Sequence, residues 1–209
     1  MTMINVMIVE DQRIIQEIFE AYLSRNEKYH HVITIPGAGK ALQACECNDI
    51  DLILMDVCTE NDESGFEAAA AIKAAYPHIK VIIVTSMLDY TYLDRAREAG
   101  ADSIWFKESS EEDILSVMDR TVNGESIYPD HTPSVRIGAI FSDEFTKAEL
   151  KVLRLVVIGK TYREIAQELS ITPDAVKWHV SNMLSKTGFT SKTQLAAVVG
   201  SKRLVIEGF

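Results

Sequence analysis

Four short apolar runs, each stopping at a charged or hydroxyl residue, constrain this chain more than any other feature. They are Ile4 to Val9 before Glu10-Asp11, the stretch Ile50 to Val57 that carries Asp56, Val81 to Val84 before Thr85, and Ser103 to Phe106 before Lys107. A run this short and apolar on both faces reads as a central strand of a parallel sheet. In such sheets ligands bind outside the C-terminal strand ends, where the strand order reverses. Asp56 is thereby delivered to the place where chemistry happens. A lone aspartate there would be read as a turn cap, but Glu10, Asp11, Thr85 and Lys107 stand at equivalent places.

Helical patterns separate the runs. Ile14, Ile15, Ile18, Phe19, Tyr22 and Leu23 repeat at helix spacing, and Val32 to Ile35 adds a further short strand before Pro36-Gly37. Helices are expected over Lys40 to Cys47, Phe66 to Tyr76 and Thr91 to Ala99. A last one follows a capping box of Ser109 and Glu112. Five strands alternating with five helices imply a doubly wound, five-stranded parallel α/β sheet of the flavodoxin-like kind over residues 1–124. Residues 125–143 carry Pro129, Pro133 and Gly138 and no sustained period, and read as a linker. Residues 144–209 turn wholly helical.

Charge divides the same way. The net charge is −10. Residues 1–141 hold 11 Lys/Arg against 24 Asp/Glu, and the remainder 10 against 7, an acidic front with a mildly basic tail. Cys45, Cys47 and Cys58 make neither a disulfide framework nor a paired zinc motif. Apolar runs are too short to span a bilayer and no signal-peptide pattern opens the chain, so a cytoplasmic location off the membrane is expected.

Glu10, Asp11 and Asp56 converging would place three carboxylates within a few ångströms. Their repulsion calls in a cation, and hard oxygen ligands suit Mg²⁺. Thr85 and Lys107 would complete a phosphate cradle, and an aspartate so placed can form an aspartyl-phosphate. At these residues the chain resembles the receiver domain of bacterial response regulators, over roughly residues 3 to 123. The resemblance implies that Asp56 accepts a phosphoryl group from a histidine kinase. It implies that Glu10, Asp11, Asp56 and the Cys58 carbonyl hold Mg²⁺, and that Thr85 and Lys107 sense the phosphate. Three features depart from the receiver pattern. The loop from Asp56 to Gly65 is one residue longer, with Thr59-Glu60 where Met-Pro is common. Ile104 occupies the usual aromatic switch position. Glu108 follows Lys107 in place of a cis proline, and a cis bond there would cost about 2.5–4 kcal/mol, so trans is expected.

In the tail, Thr146 with Glu149 and Thr161 with Glu164 form capping boxes, Thr172-Pro173 opens a third helix, and Ser191 with Gln194 caps a fourth. On the third helix Val176, Val180, Met183, Leu184 and Thr187 share one side, and Lys177, Trp178, Ser181 and Ser185 fall toward the other. Two short helices joined by a tight turn are helix-turn-helix geometry. The runs from Phe145 to Leu153, Gly159 to Ala166 and Ile171 to Asn182 resemble a LuxR-type helix-turn-helix. Together the halves are similar to the NarL/FixJ family of two-component transcription regulators. That resemblance implies base contacts by Lys177, Trp178 and Ser181, and phosphate contacts by Thr161, Tyr162, Thr172 and Lys186. It also implies a homodimer on a palindromic operator. The expected function is a DNA-binding regulator controlled by phosphorylation of Asp56, enzymatic only in its own phosphotransfer and dephosphorylation. Two alternatives stand beside it. One is a phosphate-independent DNA binder. The other is a phosphatase-like enzyme, since Asp56-Val57-Cys58-Thr59 is faintly similar to the haloacid-dehalogenase motif, though Cys58 stands where that motif has a second aspartate.

Overall fold

Strand β1 (Ile4–Val9), helix α1 (Arg13–Ser24), β2 (Tyr29–Ile35), α2 (Ala41–Cys47) and β3 (Leu52–Asp56) open the chain. A small hairpin, β4 (Cys58–Thr59) and β5 (Glu63–Ser64), precedes α3 (Gly65–Ala75), β6 (Lys80–Thr85), α4 (Tyr92–Glu98), β7 (Ser103–Phe106) and α5 (Ile114–Val122). A second hairpin, β8 (Arg136–Ile137) and β9 (Ile140–Phe141), leads into α6 (Lys147–Val157), α7 (Tyr162–Glu168), α8 (Pro173–Thr187) and α9 (Lys192–Ser201). The structure is a computed structural model and describes residues 3–87, 89, 91–107, 113–202 and 204. The expected Ser109–Glu112 capping box and the Lys107–Glu108 peptide bond lie outside the described residues. The chain forms two compact units, residues 1–86 with 91–131 and residues 87–90 with 132–209. No helix among the described residues is long and apolar enough to cross a membrane.

In the first unit the five long strands are all parallel, in the order β2-β1-β3-β6-β7. The expected doubly wound sheet is therefore present. Side chains alternate across it. Val6, Ile8, Leu52, Leu54, Ile82 and Val84 bury one face against Phe19 and Leu23 of α1 and Ile114, Val117 and Met118 of α5. Each such side chain contributes roughly 1.5–3 kcal/mol by leaving water. The intervening Met7, Val9, Ile53, Met55, Val81 and Ile83 are equally buried on the other face, where α3 packs on β3 and β6. With both faces covered, strand residues have no polar face to show, which is why the sequence reads as continuous apolar runs.

The linker is partly ordered. Ile104 N–H donates to the Ile127 carbonyl at 3.0 Å, Ile127 N–H to Ser103 Oγ at 3.0 Å, and the Tyr128 hydroxyl to the Ala101 carbonyl at 2.7 Å. The first linker residues thus extend the first unit along β7. Farther on, β8 and β9 pair antiparallel, and Ala139 N–H donates to the Thr187 carbonyl at the end of α8. Two-residue strands are too short to show any period, so the hairpin was illegible.

The second unit has the four expected helices, and the hydroxyls of Thr146, Thr161, Thr172 and Ser191 each accept from a backbone N–H three residues on. Helix α8 buries Val176, Val180, Met183 and Thr187 along one stripe and ends at Gly188 in the left-handed region. Between α7 and α8 the chain turns through Ser170, at φ 53°.

Candidate functional site

Because β1, β3, β6 and β7 are adjacent and parallel, their C-terminal ends lie along one edge. Asp56 ends β3, Glu10 and Asp11 follow β1, Thr85 ends β6 and Lys107 follows β7. The structure brings the expected acids together: carboxylate oxygens of Glu10, Asp11 and Asp56 all lie within 4.8 Å of one another. Glu10 and Asp56 are buried, at 1% and 4% exposure, while Asp11 faces solvent. Lys107 Nζ stands 2.5 Å from Glu10 Oε2 and 3.3 Å from Asp56 Oδ2. Thr85 is fully buried at the adjoining strand end, and its carbonyl accepts from the Lys107 N–H at 2.8 Å.

Backbone groups hold the acids in place. Asp56 Oδ1 accepts from Val57 N–H at 2.8 Å, and Glu10 Oε1 from Gln12 N–H at 3.0 Å. Burial pushes the Asp56 carboxyl up to about 7; the Lys107 ammonium pulls it down and the Glu10 carboxylate pushes it further up. Cys58, two residues on, carries a thiol pushed up to about 11, first by burial and then by the charges of Asp56, Asp62 and Asp11. The Lys107 ammonium pairs with two of the three carboxylates, Glu10 and Asp56, and all the acidic donors are oxygens. Such a set fits a hard divalent cation better than a soft one, so Glu10, Asp11 and Asp56 fit Mg²⁺ by chemistry and spacing.

Residues that spacing did not single out complete this edge. Gly65 opens α3 so close to the end of β3 that a Cβ there would lie 1.9 Å from the Asp56 carbonyl oxygen. Thr59 and Glu63, in the β4–β5 hairpin, bond to the loop after β2. Their partners lie 21 and 24 residues away, a separation no local pattern reveals. Ile104 is buried at 2% exposure, and the neighbouring Trp105 turns to the other face, its ring 6.4 Å from that of Phe19.

A second candidate surface lies on α8. Lys177, Trp178 and Ser181 are all exposed, Trp178 at 61%, on the side away from the buried stripe. Thr161 and Thr172, at the helix starts, are also exposed; Tyr162 is half-buried, with the Lys192 ammonium 5.3 Å from its ring centre. Lys186, expected at a phosphate contact, is partly exposed and also has partners within the chain. Its Nζ donates to Glu149 Oε2 at 2.8 Å and to the Glu144 carbonyl at 3.3 Å. Glu149 is a buried capping-box residue that needs a counter-charge. Burial alone would raise its carboxyl, but hydrogen bonds from Lys186 and Thr146 hold it below the usual range. Lys186 thereby links α8 to α6.

These two sites, on these two folds, define a class of signalling protein. Residues 6–119 match the response regulator receiver domain family, and residues 143–199 match the bacterial regulatory proteins of the luxR family. The chain belongs to the NarL/FixJ-type response regulators, a receiver followed by a luxR-type domain. It is 34% identical over 196 residues to the response regulator protein VraR of Staphylococcus aureus, covering 91% of this chain and 93% of that one. The VraR of Staphylococcus epidermidis is 34% identical over 197 residues. Among solved structures it shares its fold with RcsB from Salmonella enterica serovar Typhimurium bound to promoter P1flhDC in the presence of a phosphomimetic. That likeness has a TM-score of 0.63 at 18% identity, over 96% of this chain and 99% of that one.

Proposed function

We propose that this chain is a DNA-binding transcription regulator of a cytoplasmic two-component system, switched by phosphorylation of Asp56. A phosphohistidine of a partner kinase donates the group: an Asp56 oxygen bonds to phosphorus as the bond between phosphorus and the histidine nitrogen breaks. Glu10, Asp11, Asp56 and the Cys58 carbonyl would hold Mg²⁺, which when bound supplies positive charge against the phosphoryl oxygens. Lys107 follows the new charge with its ammonium, and Thr85 meets it with its hydroxyl. Enzymatic activity stops at this chain's own phosphotransfer and dephosphorylation. The observation that carries the reading is the convergence of Asp56, Glu10, Asp11 and Lys107 at one sheet edge.

At the other end, α8 enters the major groove. Lys177 reaches guanine O6/N7, Trp178 lies against a thymine methyl and Ser181 meets a base edge, while Thr161, Tyr162, Thr172 and Lys186 grip phosphates. A homodimer would read two halves of a palindromic operator. RcsB, whose fold this chain shares, is described bound to promoter DNA. Intact-protein mass spectrometry after treatment with a small phosphodonor and Mg²⁺ tests the switch. Wild type gains one phosphoryl group and Asp56→Ala gains none. Equal labelling of both would sink the assignment. Unlabelled wild type with intact DNA binding would favour a phosphate-independent regulator, a reading that Ile104 at the aromatic switch position also supports.

A further inference from the structure

The extended loop after Asp56 is not slack. It folds into the β4–β5 hairpin and bonds at three places to the loop that follows β2. Thr59, 3% exposed, accepts from Ala38 N–H at 2.9 Å and donates to the Glu63 carbonyl at 2.9 Å, so one hydroxyl joins both sides of the hairpin to the neighbouring loop. Glu63 Oε2 accepts from Gly39 N–H at 2.7 Å, and Glu60 N–H donates to the Pro36 carbonyl at 3.1 Å. The receiving loop has been cleared for this purpose. A Cβ on Gly37 or Gly39 would come within 2.6 or 2.7 Å of a Glu63 carboxylate oxygen.

The strand end that leads into this loop also anchors the other side of the acidic cluster. Residue Ile35, just before Pro36, accepts from Glu10 N–H at 3.0 Å. Glu10 therefore hangs from one end of the β2–α2 connection, and the hairpin carrying Cys58 hangs from the other. Cys58 is the residue immediately before Thr59 and pairs with Ser64 across the hairpin.

We propose that Thr59 and Glu63 are positioning residues of the phosphoacceptor site: by fastening the hairpin to Ala38 and Gly39 they hold the Cys58 carbonyl at the cation site before a cation arrives. The proposal rests on the cation role given to Cys58 above. It explains why this chain tolerates a longer loop, since the extra residue is taken up in a hairpin with its own anchor. Glu63 acts here as a hydrogen-bond acceptor, and its charge is incidental. Groups that orient metal ligands from behind typically govern affinity by about 10–100-fold.

The test is Mg²⁺ titration by calorimetry on the full chain, with hydrogen exchange of the Ala38 and Gly39 amides and mass-spectrometric phosphorylation read in parallel. Glu63→Ala and Gly39→Ala should each expose the Gly39 amide to exchange and weaken Mg²⁺ binding on the order of 10-fold. Gly39→Ala displaces only the mobile end of Glu63, so it breaks the clamp even if Glu63→Ala fails to fold. The double variant should lose no more than either single. Glu63→Gln, which keeps an acceptor oxygen, should bind as wild type. Thr59→Val should follow Glu63→Ala, and Thr59→Ser should not. Wild-type Mg²⁺ affinity in Glu63→Ala and Gly39→Ala with an exposed Gly39 amide would overturn the proposal. So would a loss in Glu63→Gln equal to that in Glu63→Ala, which would mean that the charge acts on the cation directly. A wild type that takes up phosphate with Mg²⁺ while the variants behave identically to it overturns the positioning role alone; a wild type that binds no Mg²⁺ removes the cation reading and this proposal together.

Discussion

Asp56 is charged at a cost. Its carboxyl is raised from the usual 3.8 to about 7, chiefly by burial. A carboxyl whose folded value is raised binds its proton more tightly in the native state, so stability falls as pH rises from about 4 to about 7 and stays low above that. Asp56→Asn, measured by thermal melting without divalent cations, should therefore be more stable than wild type at pH 8. The ceiling on the gain is about 4 kcal/mol, and it should fade as pH drops toward 4. A gain that grows on acidification would contradict the burial argument. Mg²⁺ should narrow the gap at pH 8, because a cation among Glu10, Asp11 and Asp56 stabilises the ionised wild-type site. At this scale the sequence was informative. Acids, a hydroxyl and a lysine at successive strand ends announced the cluster, because a strand end is a local feature. Lys186 shows where such reading stops. Its partner Glu149 is 37 residues away, and nothing local announces that a lysine will pair with a buried carboxylate.

Among the elements, long ones were legible and short ones were not. The helices of the second unit announced themselves through Thr146, Thr161, Thr172 and Ser191, because a cap hydroxyl bonds only three residues ahead. The two hairpins did not, since each strand is two residues long and its partners are tertiary. The β8–β9 hairpin offers a sharp test. Gly138 sits at φ 64°, and a Cβ there would lie 2.2 Å from the Thr187 carbonyl oxygen. Gly138→Ala should cost about 1–3 kcal/mol from backbone strain alone, more with the clash, and should expose the Ala139 amide to hydrogen exchange. Unchanged melting and protection would mean that the hairpin is not seated on the end of α8.

For the molecule as a whole, an acidic receiver and a basic luxR-type unit are joined by a linker whose ends belong to the units they adjoin. If phosphate on Asp56 controls DNA binding, a phosphate analogue with Mg²⁺ should raise both dimer fraction and operator affinity, and Asp56→Ala should not respond. Sedimentation and gel-shift titrations read the two quantities, and an equal response in both proteins would separate the switch from the DNA-binding unit. Lys177→Ala should weaken operator binding by roughly 1–3 kcal/mol and reduce discrimination between operator and unrelated DNA. Equal losses on both DNAs, with a shallower salt dependence, would move Lys177 from base to phosphate.

The amino-acid order alone determined the alternation of strands and helices, the acids at the strand ends and the caps of the DNA-binding helices, because each depends on neighbours within a few residues along the chain. Folding decided the rest: that Lys107 bridges Glu10 and Asp56, that Lys186 answers Glu149, and that the loop beyond Asp56 is pinned by Thr59 and Glu63 to Ala38 and Gly39. Those contacts join positions tens of residues apart, and only the packed sheet and helices bring such distant groups within hydrogen-bonding reach.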